Sequence, residues 1–182
     1  MSEELSARCL DTFPEWLHSL ARDAVDLATT LDDGDVAEPA RRLVGGGLTY
    51  LFKSLDLIPD GIEDLGFLDD AFVLRESCRQ ALEAWPELGA SHPVAARLAG
   101  EAALVAEILG KDAPRLHRYV GTLTGGAARG RSVEEIVEDE AKRGAFLQEL
   151  RGWAASYEPP SFARDEKNLV KLQSFLGAKL PA

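Results

Sequence analysis

The chain reads as an all-α protein, a single helical bundle of about seven to eight helices organised around a short helical hairpin. Three observations predict this. Apolar residues recur at three- and four-residue spacing along most of the chain. Proline, glycine and aspartate interrupt those runs where helices would end. No alternating, β-branched run bounded by turns occurs, and no repeat recurs at a fixed period. With 182 residues, the expectation is one helical domain over 1–158 and a C-terminal helix over 159–182 that docks in cis or on a partner.

Residues 14–31 form an amphipathic helix, with Phe13, Trp16, Leu17, Leu20, Ala24, Leu27, Ala28 and Leu31 on one stripe. Pro14 suits its first turn, and a short helix precedes it at 3–10. Asp32-Asp33-Gly34-Asp35 is a turn. The second helix runs from Pro39 to Lys53 and contains Gly45-Gly46-Gly47, which cost about 2–3 kcal/mol of helix propensity relative to alanine. Either the helix is broken there or the glycines allow close backbone contact with a neighbour; Leu43, Val44, Leu48, Leu51 and Phe52 keep helical spacing on both sides, which favours the contact. A phosphate-binding loop would need a preceding strand and a following lysine–serine or lysine–threonine pair, and neither is present.

From about Asp69 to Ala84 a third helix buries Leu68, Ala71, Leu74, Cys78, Ala81 and Leu82. Ser91-His92-Pro93 opens a helix that Gly110 stops, and Asp112-Ala113-Pro114 opens the next. Gly121 to Gly130 reads as a flexible loop whose Arg129 and Arg131 either bind an anion or are simply solvated. Ser132-Val133-Glu134-Glu135 is a capping-box pattern that starts a long helix to about Ala155. Pro159-Pro160 breaks the chain, and a last helix covers roughly 164–177.

The hairpin itself is Leu55 to Asp70, in which six of sixteen residues are acidic and none is basic. Pro59 forbids a continuing helix, and Ile58 before it is pushed towards an extended conformation. Asp56 is a natural cap for a turn beginning at Pro59, while Gly61 and Gly66 are candidates for positive φ. Asp69 and Asp70 start the following helix, where its dipole favours carboxylates. Leu55, Leu57, Ile58, Leu65, Phe67 and Leu68 are expected to point inward. Tyr50 is expected to pack here with its hydroxyl on a corner carboxylate.

Tyr50, Asp56-Leu57-Ile58-Pro59-Asp60 and Gly66-Phe67-Leu68-Asp69-Asp70 together resemble the signature of the YkvA-like domain of unknown function. The resemblance covers about residues 41–82 and implies a short helical hairpin. It departs at Ser54 and Leu55, where that family usually carries a proline, and the hairpin is less apolar than in relatives that associate with membranes. The family brings no established activity.

A formal net charge of −11 argues against nucleic-acid backbones and anionic membrane surfaces as partners. Residues 1–40 alone carry ten acidic and two basic side chains. Cys9 and Cys78 lack metal or redox spacing and read as small apolar residues in a reducing compartment. The acidic start, Met1-Ser2-Glu3-Glu4, is unlike a secretory signal, so a cytoplasmic location is expected.

Asp56, Asp60, Asp69 and Asp70 are the candidate metal ligands, since magnesium and calcium want several oxygen donors. The competing reading has them capping helices and accepting backbone N–H bonds; Glu63 and Asp64 belong to the same acidic corner. His18, His92 and His117 are scattered and do not suggest a zinc site. No catalytic or cofactor-binding constellation emerges, and no cofactor is expected. The sequence therefore points to a soluble, bacterial-type, non-enzymatic scaffold or regulator acting through protein–protein contacts. Self-association through the basic C-terminal helix is one form of that. The alternatives are a divalent-metal-binding protein or metal-dependent hydrolase using the acidic corner, with magnesium or calcium, and a peripheral membrane protein.

Overall fold

A computed structural model describes residues 1–53 and 56–181. Ser54 and Leu55, the expected helix end and inward-facing leucine, lie outside the described residues, as does Ala182. Among the described residues the α-helices are α1 (Glu3–Asp32), α2 (Glu38–Tyr50), α3 (Leu68–Ala84), α4 (Leu88–Ser91), α5 (Pro93–Leu109), α6 (Ala113–Thr122), α7 (Val133–Glu138), α8 (Glu140–Ser156) and α9 (Glu166–Lys179). The protein is an all-α bundle.

The first helix is longer than its proline suggests. Ser2 accepts the Leu5 N–H at 3.2 Å, Glu3 and Glu4 occupy the first turn, and the helix runs on through Pro14. The short segment at 3–10 and the helix at 14–31 are thus one element. Pro14 removes a single bond to the turn before it, while Cys9, Phe13, Trp16 and Leu17 bury the same face on both sides. Burial on that face outweighs the lost bond.

Helix α3 is the centre of the bundle, packed chiefly on α5 and α2. Every residue from Leu68 to Cys78 is buried, polar ones included. The glycines of α2 are what let the helices come so close. A Cβ on Gly47 would stand 2.5 Å from Ser77 Oγ, and one on Gly46 would stand 3.0 Å from the Leu123 carbonyl carbon. The triple glycine is therefore a packing surface inside a continuous helix, on which α3 and the turn at Leu123 sit.

Two later elements differ from the sequence reading. The glycine-rich stretch is a helix end and a 3-10 turn at Leu123–Gly125, followed by a minimal hairpin of β1 (Ala127–Ala128) and β2 (Arg131–Ser132). Its two turn residues, Arg129 and Gly130, both have positive φ (49° and 78°), as a tight two-residue hairpin turn requires. Arg129 stacks over Phe52 at 4.7 Å and Arg131 pairs with Glu149 at 2.5 Å. The capping box at Ser132 and Glu135 forms, with bonds of 3.1 and 2.9 Å. The helix it starts stops at Asp139, whose carboxylate accepts the Lys142 N–H at 3.0 Å and begins α8. An aspartate that can cap splits what the apolar spacing shows as one helix.

Helix α9 packs on α1 and α5 of the same chain, burying Leu169, Leu172 and Leu176 completely. Arg115 of α6 donates to the Gly177 carbonyl (2.9 Å), the Pro181 carbonyl (3.0 Å) and the Leu180 carbonyl. A cation thereby meets the negative end of the α9 dipole. Among the described residues no helix is long and apolar enough to cross a membrane.

Candidate functional site

The acidic corner lies between α2 and α3. Tyr50, the last residue of α2, is 1% exposed and donates its hydroxyl hydrogen to Asp69 Oδ2 at 2.6 Å. The Ile58 N–H donates to the same carboxylate oxygen at 2.9 Å, and the Leu57 N–H donates to the Tyr50 oxygen at 2.7 Å. One tyrosine and one carboxylate so hold the end of α2, the chain at Leu57-Ile58 and the start of α3 together. Leu57, Ile58, Leu65 and Leu68 are buried beneath, and Phe67 packs its ring against Tyr157 at 5.3 Å.

After Pro59 the chain makes successive turns, Ile62 N–H to Pro59 and then Gly66 N–H to Ile62, each at 2.9 Å, and not a helix. Positive φ falls on Asp64 and Phe67 (65° each) and not on Gly61 or Gly66. Gly66 is needed for another reason: a Cβ there would stand 2.1 Å from the Asp60 carbonyl oxygen. Asp64 reaches away from the corner and accepts the Ala163 N–H at 2.8 Å, and Glu63 is exposed.

The four candidate ligands divide. Asp69 is fully buried and held through Oδ2, leaving its Oδ1 without a hydrogen-bond partner among the described residues. Asp70 is 3% exposed, and its Oδ2 also lacks a partner. Asp56 is half-buried, and among the described residues its Oδ1 has no partner and caps no turn at Pro59. Asp60 sits on the open side. Lys53, whose charge opposes the rise at Asp56, lies over the Tyr119 and Tyr50 rings at 5.4 and 5.9 Å.

Burial pushes the Asp69 carboxyl up to about 7, against the bonds from Tyr50 and Ile58. Burial and the neighbouring Asp60 push Asp56 up to about 6, with Lys53 opposing. Asp70 is driven well above the usual carboxylate range by burial and then by Asp69, Asp60 and Asp56. An unfolded aspartate titrates near about 4, so the folded chain retains protons that the unfolded chain has already released. The stability these protons bring is complete below the unfolded value and is lost as pH rises through the folded values of about 6 and 7. In chelator-treated buffer the melting temperature is expected to fall from pH 5 to pH 8, and to fall less in Asp70→Asn. Calorimetric scans showing a flat or rising profile would contradict this.

The segment from α2 to the first half of α3 is also where the chain resembles other proteins. A family model described as "Protein of unknown function (DUF1232)" matches residues 40–74. The match includes Tyr50 and all four aspartates and leaves most of the chain outside it. Searches of curated proteins and of solved structures returned no match.

Two polar clusters escaped the sequence reading. Arg75 is 1% exposed, stacks on Trp16 at 3.7 Å and pairs with Glu101 at 2.7 Å. Arg97 bridges Glu101 (3.0 Å) to the buried Asp23 (2.6 Å), so the network ties α3, α5 and α1. On the other side of α3, Glu76 Oε1 lies 2.7 Å from His117 Nδ1, 2.6 Å from Arg79 and 2.8 Å from the Gln80 amide. His92 meets Asp33 at 2.9 Å, and His18 is exposed, so the three histidines have separate surroundings. Cys9 and Cys78 are both free and buried, and burial raises each thiol, to about 11 and about 12. Such thiols are poor nucleophiles and poor ligands.

Proposed function

We propose that the chain is a non-enzymatic helical protein that works through contacts with other proteins, with the acidic corner serving its architecture. The observation that supports this reading is a groove of about 620 Å³ between α3, α5 and α6. Its floor includes Ala99, Ala102, Ala103 and Ala106, one face of α5, closed at the end by Leu109 and Pro114. Small side chains at that spacing let a second helix approach closely. The charged edge carries Glu76 and Glu83 against Arg79, on a chain of net charge −11. The occupant that fits is an amphipathic helix of another protein with basic residues flanking a small apolar face.

A selection of helical peptides against the full chain tests the idea. Basic amphipathic sequences are expected to enrich and to lose at least about tenfold in affinity for Ala103→Arg/Ala106→Arg, a pair of exposed sites whose change leaves the core alone. Peptides that bind wild type and variant equally would remove the groove. A turnover activity abolished by Asp60→Asn in a folded protein would overturn the non-enzymatic reading.

All the residues of the YkvA-like motif, Tyr50 to Asp70, fall within the matched segment, and we read that segment as the family's hairpin. Two free thiols suit a reducing compartment such as the cytoplasm. The apolar hairpin residues Leu57, Ile58, Leu65 and Leu68 face the core, while Pro59, Asp60, Gly61 and Glu63 face outward. That arrangement offers acid and not hydrocarbon to a lipid surface, which disfavours peripheral membrane association.

A further inference from the structure

We infer that the charge on His117 sets how tightly the groove between α3, α5 and α6 holds a basic helix, tight when the imidazole is neutral and weaker when it is protonated. This regulation rests on the groove being a docking site. His117 lies on α6 and lines the groove beside Glu76, Arg79 and Glu83, with its side chain 47% exposed. Beside a neutral imidazole, these three side chains carry two negative charges and one positive. An imidazolium balances them, and the attraction for a basic helix falls. Imidazole is the side chain that ordinarily changes charge between pH 5 and 8.

The hydrogen bonds around His117 suit both charge states, so no side chain has to move when the proton comes or goes. Its Nδ1 lies 2.7 Å from Glu76 Oε1, 2.8 Å from an Arg79 guanidinium nitrogen and 3.0 Å from the Gln80 amide nitrogen. A neutral ring can accept there from Arg79 or Gln80, and a charged ring donates to Glu76. The Gln80 amide also donates to the His117 carbonyl at 2.9 Å, which fixes α6 against α3 at this position. Burial would raise the Glu76 carboxyl, but bonds from Arg79, Gln80 and His117 hold it below its usual range. The bond to Glu76 in turn raises the Arg79 guanidinium. The other elements against α6 bring charges that are engaged or turned away. On its groove side α5 presents alanines. In the turn before α6, Lys111 is exposed and Asp112 pairs with Arg115 at 2.8 Å. Lys53, after α2, reaches the Tyr119 hydroxyl at 3.4 Å, and Arg118, next to His117, is exposed.

The probe is a histidine-free basic helical peptide that the selection above enriches at pH 7.5 and that Ala103→Arg/Ala106→Arg loses. Fluorescence anisotropy with the full chain in low salt gives its Kd at pH 7.5 and pH 5.5. Wild type is expected to bind about threefold to fivefold more weakly at pH 5.5, the upper size of a partly exposed charge contact. Asp56 and Asp69, pushed up to about 6 and about 7, also take up protons in this range, but the corner is unchanged in His117→Gln. That variant should keep only the corner's share, less than about a twofold change between the two pH values. His117→Lys carries a lasting cation and should bind at pH 7.5 about as weakly as wild type does at pH 5.5. A loss of packing alone would weaken both pH values alike and leave their ratio as in wild type. Equal Kd ratios in wild type and His117→Gln would overturn the regulation and leave the groove standing. If no peptide distinguishes wild type from Ala103→Arg/Ala106→Arg, the groove falls and the regulation with it.

Discussion

Asp69→Ala is expected to lower the stability of the folded chain by about 2–5 kcal/mol, because it leaves two buried donors unsatisfied at once. Those donors are the Tyr50 hydroxyl and the Ile58 N–H, both directed at Asp69 Oδ2. The Leu57 N–H depends on the Tyr50 oxygen, so its bond loosens as well. A relief term works against the loss, since a carboxylate in a crowd of carboxylates disappears. Asp69→Asn separates the two effects. Its carbonyl oxygen can take the place of Oδ2 and keep both the Tyr50 hydroxyl and the Ile58 N–H bonded. Asparagine should therefore cost less than about 1 kcal/mol, as a replaced and not a deleted acceptor. Urea unfolding of the two variants measures the contrast, and equal, small losses would show that the corner is not held by this carboxylate.

Gly66→Ala is the second large effect. The new Cβ would lie 2.1 Å from the Asp60 oxygen and 2.9 Å from its carbonyl carbon, both backbone atoms with no rotamer to escape into. Overpacking of a buried site costs about 1–3 kcal/mol, and a clash with main chain belongs at the upper end. Gly61→Ala is the control: nothing lies within 4 Å of its Cβ position, and a change of about 0.5 kcal/mol or less in either direction is expected. Urea unfolding gives the energies, and hydrogen exchange over residues 56–67 shows whether the segment has opened. If Gly66→Ala behaves like Gly61→Ala, the turn geometry described for this segment is incorrect.

Most helices were legible because their apolar stripes and caps are local. The start of α7 at Ser132 could be read from two residues, and the Tyr50 bond to a corner carboxylate from the motif. What could not be read depended on competition between local signals and distant burial. Pro14 reads as a beginning because its missing N–H is a local fact, whereas the face that carries α1 through it is set by Phe72 and Phe162 against Phe13. Asp139 reads as helix interior because apolar spacing outweighs a single cap. In α3 Arg75 is enclosed because Trp16 and Glu101, from two other helices, supply a ring and a charge, which no local pattern announces. At the corner, residue type found the four aspartates but not their separate environments. Asp69 and Asp70 are adjacent, and only the packing shows that one is tied and the other is not. The left-handed residues at Asp64 and Phe67 went unseen because the nearby glycines were the obvious hosts.

The strap formed by residues 157–165 bears on how this protein comes into being. Tyr157 lies against Phe67, and the Ala163 N–H reaches Asp64, 99 positions earlier in the chain. On a ribosome, the corner would emerge long before its fastenings exist, and would wait half-made until residues 157–165 were synthesised. An excised peptide of residues 40–74 would be in the same predicament for good: a recognisable signature with no interior of its own.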